Sequence, residues 1–297
     1  MTGAALPIVD SHQHVWDVSE HPQPWLDSDP ALAPLRRRFS IADLAPLAAA
    51  SGVSATVVVQ TLTDPVETPE LLALAAAEPL VQAVVGWADL TAPGVADTLA
   101  SLRALPGGQF LSGIRHPLLV EPDPDWLSRA EVRRGLAAMS SAGLCFDLVP
   151  RPGQLPSLVS QVARLPGVTF VLDHLGNVEV GGQVDAGWAR ALAAFAALPG
   201  TACKLSGILG EAGPADGGDV SRLRPYFELA LDCFGPDRLM FGSDWPVCTL
   251  SAPYGDVVAA ALALTSGLSE PERAAIMAGT ARAVYRISDT AVTGRGA

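Results

Sequence analysis

The sequence predicts a (β/α)8 barrel, and three observations predict it. Eight short apolar runs alternate with longer Ala/Leu-rich segments along the chain. Most of those runs end in polar residues, as strands converging on one catalytic mouth would. No Gly-rich nucleotide loop follows the first run, which disfavours the alternative, an open doubly wound sheet. A chain of 297 residues suits one such barrel as a single domain over 1–297. With 49% hydrophobic and 17% charged residues it can bury a large core.

The elements follow in order. The strand candidates are Ile8–Asp10, Ala55–Gln60, Gln82–Trp87, Leu111–Arg115, Leu144–Leu148, Thr169–Leu172, Ala202–Leu205 and Leu239–Phe241. Helical candidates lie between them: "DLAPLAAASG", "TPELLALAAAE", "VADTLASLRAL", "EVRRGLAAMSSAG", "LPSLVSQVARLPG" and "GWARALAAFAALPG". Many end in Gly or Pro-Gly, residues that stop helices. Two inserts interrupt the alternation: the Pro-rich "HPQPWLDSDPALAP", an active-site lid or a surface loop, and "GEAGPADGGD" from Gly210.

Bulk properties exclude several classes. A net charge of -12 gives a phosphate backbone little to bind, so no nucleic-acid partner is expected. The longest uncharged stretch, Leu44 to Thr63, is broken by Pro46 and "SGVS", so no membrane span is expected. The N-terminus lacks a basic region followed by an apolar core, and Cys145, Cys203, Cys233 and Cys248 form no C-x-x-C pair. Free buried thiols in a cytoplasmic protein are the expectation.

The chemistry collects at the strand ends. "IVDSHQHVWD" places His12 and His14 two apart, so a regular strand turns both the same way and lets them grip one metal ion. Asp10 would share their inward face and orient a histidine from behind. Gln60 ends the second strand, Arg115-His116 the fourth, Asp173-His174 the sixth; Lys204 lies on the seventh and Asp244 follows the eighth. Asp244 is either a general base or metal ligand, or a helix N-cap. His174 is a site histidine or a satisfied core one, and Asp173 points away to tie a loop. Of Arg115 and His116, only one is expected to face inward, where Arg115 would suit a carbonyl or carboxylate. Lys204, the one lysine, has apolar flanks and needs a task or a partner, the partners being Asp147 or Asp173.

With these motifs in place, the chain resembles the amidohydrolase superfamily, and within it the family 2 branch that holds sugar-acid lactonases. The matching stretches include "IVDSHQHVWD", "VVVQTLTDPVET", "GIRHPL", "GLCFDLVPRPGQLP", "TFVLDHLGN", "ACKLSGI" and "PYFELALDCFGPDRLMFGSDWPVC", in order across nearly the whole chain. The resemblance implies a barrel that hydrolyses a small lactone, with His12 and His14 as the first-strand pair and Asp244 handling the water. It implies one divalent metal or none. Such an ion, Zn or Mn by the donor types, would sit on His12 and His14 with Asp244 or His174. His174, His116 and Arg115 are the other catalytic candidates; Gln60, Lys204 and the indoles of Trp16, Trp25 and Trp245 are candidates for holding substrate. Relatives often carry Lys-Pro where this chain has Asn177-Val178, a departure that bears on specificity if the side chain meets substrate. The rivals are a hydrolase of an aromatic-pathway lactone or pyrone, a metal-dependent non-oxidative decarboxylase, and an inactive sugar-binding barrel. A homodimer is compatible with everything above.

Overall fold

The computed structural model describes residues 6–181, 183–209 and 220–288, so the Gly-rich insert from Gly210 lies outside the described residues. Eight strands run parallel in chain order: β1 (Ile8–Gln13), β2 (Val53–Val59), β3 (Val81–Gly86), β4 (Leu111–His116), β5 (Cys145–Leu148), β6 (Phe170–Leu172), β7 (Thr201–Leu205) and β8 (Leu239–Phe241). Just past β8, the main chain turns back to β1: Asp244 N donates to His12 O at 2.8 Å, and His14 N to Trp245 O at 2.7 Å. These two bonds draw the sheet into the expected barrel. The unbroken strand order removes the doubly wound alternative, which needs a reversal at a switch point.

Eight helices alternate with the strands: α1 (Ile41–Ala50), α2 (Glu67–Ala77), α3 (Val95–Ala104), α4 (Ala130–Ser141), α5 (Leu155–Val162), α6 (Ala186–Ala196), α7 (Arg224–Phe234) and α8 (Tyr254–Thr265). Their limits are written locally. Asp43 in the first turn of α1 accepts from Ser40 N at 2.8 Å, one arm of the capping box that starts the helix. Gly143 and Gly235 follow α4 and α7 at φ +69° and +68°, the left-handed turn-off that glycine accepts. No helix among the described residues is long and apolar enough to cross a membrane. The cysteines are free, three of them buried and Cys233 half-buried.

Two cores result. The outer one fills the space between sheet and helices. The inner one fills the barrel with Val9, Ala55, Val57, Val59, Ala83, Val85, Cys145, Val171, Ala202 and Met240, and is closed at the far end by Ala278, Ala281, Tyr285 and Ile287 from the C-terminal helical segment. Strand residues two apart share a face, so Arg115, Asp147, Asp173 and Lys204 continue the inward rows of β4 to β7.

Strand β1 breaks this parity. Val9 packs in the inner core and Ile8 in the outer one, so regular alternation would turn His12 and His14 outward. Three steps of β1, Asp10 to Gln13, span only two of β2, Thr56 to Val58. This bulge flips the face and delivers both histidines to the interior. It also corrects the expectation for Asp10. Its carboxylate accepts from Ser243 N (2.8 Å), Ser243 Oγ (2.6 Å), His12 N (3.1 Å) and the Tyr254 hydroxyl of α8 (3.1 Å), and so clamps β1 to the segment after β8 rather than orienting an imidazole.

Candidate active site

The mouth of the barrel gathers His12, His14, His174 and Asp244, each 9% exposed or less. His12 Nε2 lies 3.1 Å from His14 Nε2. Asp244 Oδ1 lies 3.6 Å from the first and 3.5 Å from the second. The ring of His174 packs edge-on to His12 at 4.6 Å between centroids. His14 Nδ1 donates to Val59 O at 2.7 Å, which leaves Nε2 of the neutral ring without a proton.

Both polar arms from β6 and β8 stand on left-handed backbone. Asp244 has φ 60°, and His174, Leu175 and Asn177 have φ 54°, 51° and 54°. Each such non-glycine residue costs about 1–2 kcal/mol. The turn at His174 is secured by Trp188 Nε1 donating to Leu175 O at 2.8 Å and Asn177 Nδ2 donating to Pro150 O at 2.6 Å. Asparagine accepts left-handed backbone better than most residues, and here its amide is spent on Pro150 rather than on substrate. Asp244 is no helix N-cap, since the short helix that follows starts beyond Pro246 with no side-chain cap.

His174 Nδ1 meets Ser206 Oγ at 2.8 Å. Its ring rests on Gly207, at φ +73°, where an added Cβ would stand 2.9 Å from His174 Cβ. Gly207→Ala is therefore expected to lower stability by about 1–3 kcal/mol and to displace His174. Urea unfolding and kcat check this, and an alanine variant normal in both would show that the contact yields freely.

Electrostatics favour an anionic Asp244 among neutral imidazoles. Burial pushes its carboxyl up, but the surrounding imidazoles of His174, His14 and His12 outweigh burial and hold it well below the usual carboxylate range. Burial lowers His12, His14 and His174, helped at His12 by the Lys204 ammonium and at His14 by Arg115.

Beneath this layer lies a second one, and several expectations change there. Lys204 is fully buried and cannot reach substrate: its Nζ donates to Asp147 Oδ2 (2.6 Å) and His12 Nδ1 (2.9 Å) and pairs with Asp173 Oδ1 (3.0 Å). Asp173 does not tie an outer loop. It points inward to Lys204 and to Arg115 Nη1 at 3.4 Å, as the parity of Val171 on the same face requires. Gln60 is spent too, its Oε1 accepting from Arg115 Nε at 3.1 Å and Nη2 at 2.9 Å and its Nε2 donating to Leu62 O at 3.0 Å. Arg115 thus faces inward, with Nη1 3.4 Å from His12 Nε2. His116 turns to the loop: it stacks on Trp126 at 4.1 Å, and its Nε2 meets Glu121 at 3.0 Å. Trp16 stands 6.5 Å from His14 between ring centroids, with Trp25 edge-on to it at 5.5 Å. Trp245 is buried against Phe39.

His12, His14 and Asp244 form one cluster of possible metal ligands, and His12, Asp173 and His174 another. Tetrahedral Zn at about 2.0–2.1 Å from its ligands sets them roughly 3.3 Å apart, so the spacing of the first cluster fits. The protonation does not. An ammonium on Nδ1 leaves the His12 proton on Nε2, the atom an ion needs.

The sequence profile of the amidohydrolase family matches residues 9–287. The chain is 37% identical over 294 residues to L-fucono-1,5-lactonase of Burkholderia multivorans, covering 95% of this chain and 97% of that protein. A crystal structure of an amidohydrolase from Burkholderia multivorans with bound zinc is 36% identical, with a TM-score of 0.85, covering 95% of this chain and 100% of that one. A putative 2-pyrone-4,6-dicarboxylic acid hydrolase from Pseudomonas putida, 24% identical with a TM-score of 0.75 over 95% of this chain and 98% of that one, shares the fold.

Proposed function

The chain belongs to the amidohydrolase family, and from that premise we propose that it hydrolyses the ester ring of a sugar-acid lactone of the L-fucono-1,5-lactone class. The observation that carries this reading is Asp244: a buried, anionic carboxylate at the barrel mouth, beside two imidazoles, in a chain similar to a lactonase over nearly its full length. The pyrone and decarboxylase readings have no comparable observation behind them.

In the proposed reaction Asp244 takes a proton from water, and the hydroxide adds to the lactone carbonyl carbon. His12 Nε2–H and Arg115 stabilise the oxyanion. Collapse breaks the ring C–O bond, and the leaving alkoxide receives the proton that Asp244 took from water. The product is a hydroxy acid, which releases one proton at neutral pH. His14, as an acceptor, helps orient the water. Trp16 and Trp25 offer an apolar wall for one sugar face. A place in carbohydrate metabolism follows from the substrate class.

The test is proton release with a panel of sugar lactones, pyrones and benzoate-type acids. Opening of L-fuconolactone or a near stereoisomer is expected; ring opening of pyrones alone, or proton uptake with the acids, overturns the assignment. A Zn or Mn ion held at His12, His14 and Asp244 would supply Lewis acidity to the carbonyl, but it competes with the His12 proton. Chelation and dialysis are thus expected to change kcat by less than about twofold, with metal content measured on the same samples. Loss of most activity, restored by one ion per chain, would make the ion part of the machinery.

A further inference from the structure

The buried array around Lys204 touches no solvent, lies below the reacting groups, and yet holds the chain's one lysine. We propose that Lys204 is a positioning residue: by donating to Nδ1 of His12 it fixes that ring's proton on Nε2, so His12 faces the mouth as a hydrogen-bond donor and His14 as an acceptor.

Both ends of His12 give the same answer. At one end, Lys204 Nζ stands 2.9 Å from Nδ1. An ammonium has donors only, so the nitrogen it meets must carry the lone pair. Two buried carboxylates, Asp147 Oδ2 at 2.6 Å and Asp173 Oδ1 at 3.0 Å, flank the same Nζ, as an ammonium requires. The rival arrangement, Nδ1–H donating to Asp173 Oδ1, has a separation of 3.5 Å, and that oxygen already faces the ammonium at 3.0 Å. At the other end, His14 donates its Nδ1–H to Val59 O, so its Nε2 is an acceptor, and His12 Nε2 lies 3.1 Å from it. Only Nε2–H on His12 completes that contact. Arg115 Nη1 at 3.4 Å from the same nitrogen is the weaker claim, and Asp173 Oδ2 at an equal 3.4 Å is its better partner.

The rest of the array reads as the means of holding the ammonium. Asp147 Oδ2 takes Lys204 at 2.6 Å and also the hydroxyl of Tyr285 at 2.8 Å, a residue from the segment that closes the bottom of the barrel. The C-terminal segment is therefore linked through Asp147 and Lys204 to a histidine at the mouth. Because two neighbouring histidines hold opposite tautomers, the pair presents one proton and one lone pair rather than the two lone pairs a metal would take.

The inference rests on the lactonase reading only for the use of the donor; the tautomers can be read without substrate. Nitrogen-15 histidine spectra of the chelated protein, assigned with His12→Gln and His14→Gln samples, are expected to show His12 protonated on Nε2 and His14 on Nδ1. His12 protonated on Nδ1 would overturn the proposal. A double variant, Lys204→Met with Asp147→Asn, removes the ammonium together with one of its counter-charges. Its His12 is expected to switch to Nδ1–H, its Zn affinity by competition with a chelator to rise at least about tenfold, and kcat to fall with KM little changed. An unchanged tautomer or unchanged Zn affinity in a folded double variant would sink the idea; should that variant not fold, the wild-type spectrum decides alone. The expected tautomers in a protein that opens no lactone would refute the lactonase reading and leave this one standing.

Discussion

Asp244→Asn is expected to leave a folded protein whose kcat is lower by about 10²-fold or more, the share a positioned general base contributes. The substitution keeps shape and removes only the ability to accept a proton. Its backbone is secured independently, through Asp244 N on His12 O at 2.8 Å and Cys248 N on Asp244 O at 2.9 Å, so closure of β1 onto the segment after β8 survives. The anionic carboxylate is what the site is arranged around. His14 Nε2 lies 3.5 Å from it, and Arg115 Nη1 stands 3.4 Å from His12 Nε2. The measurement is initial proton release at saturating lactone, beside a thermal melt. A variant with a normal melt and near-normal kcat would remove Asp244 from the mechanism.

The barrel was legible because its evidence is local. Apolar runs, Gly-ended helices and polar strand ends are each written within a few residues, and seven strand ranges match within two residues at either end, β8 residue for residue, while β1 runs on past the expected Asp10 to Gln13. The site was less legible where it depends on parity between strands. His12 and His14 face inward as expected, but for a reason the i, i+2 spacing does not contain: the bulge between Asp10 and Gln13 changes their face. Asp10 precedes the flip, so its alternation with the inward Val9 leaves it on the outside, against Tyr254. Asp173 could have been placed from the sequence, since Val171 and Asp173 share a face and Val171 reads as core. Arg115 and His116 were rightly set against each other. Which of the pair turned inward rested on Gly113 and Arg115 sharing the row that faces the barrel axis, and on Trp126, ten residues on, folding back to offer His116 a stacking surface. Lys204 meets the two carboxylates that were weighed as its partners, Asp147 and Asp173, whereas Gln60 is held by Arg115. Burial makes a polar group remarkable in sequence, but only the fold says whether another side chain, rather than a ligand, satisfies it.

Lys204→Met alone is expected to have the largest effect on stability of any substitution in the mouth. Asp147 and Asp173 are as fully buried as the lysine, with the ammonium 2.6 Å from one and 3.0 Å from the other. Removing one partner of a buried ion pair leaves an uncompensated charge and costs about 3–5 kcal/mol. For a chain of this size that lowers Tm by roughly 6–10 °C or more. Arg115 already pairs with Asp173 through Nη1 at 3.4 Å and the rest of its guanidinium is held by Gln60, so it has no nitrogen to spare for a second stranded charge. Nor does Tyr285, which offers Asp147 one neutral hydroxyl. Adding Asp147→Asn removes one of the stranded charges while keeping an acceptor for that hydroxyl, so the double variant should recover a large part of the loss even though it lacks two native groups. Urea unfolding of wild type, single and double variants measures this as a coupling between the two positions. A single variant within about 1 kcal/mol of wild type would mean that the carboxylates find protons or water instead, and that the ammonium is not what makes their burial tolerable.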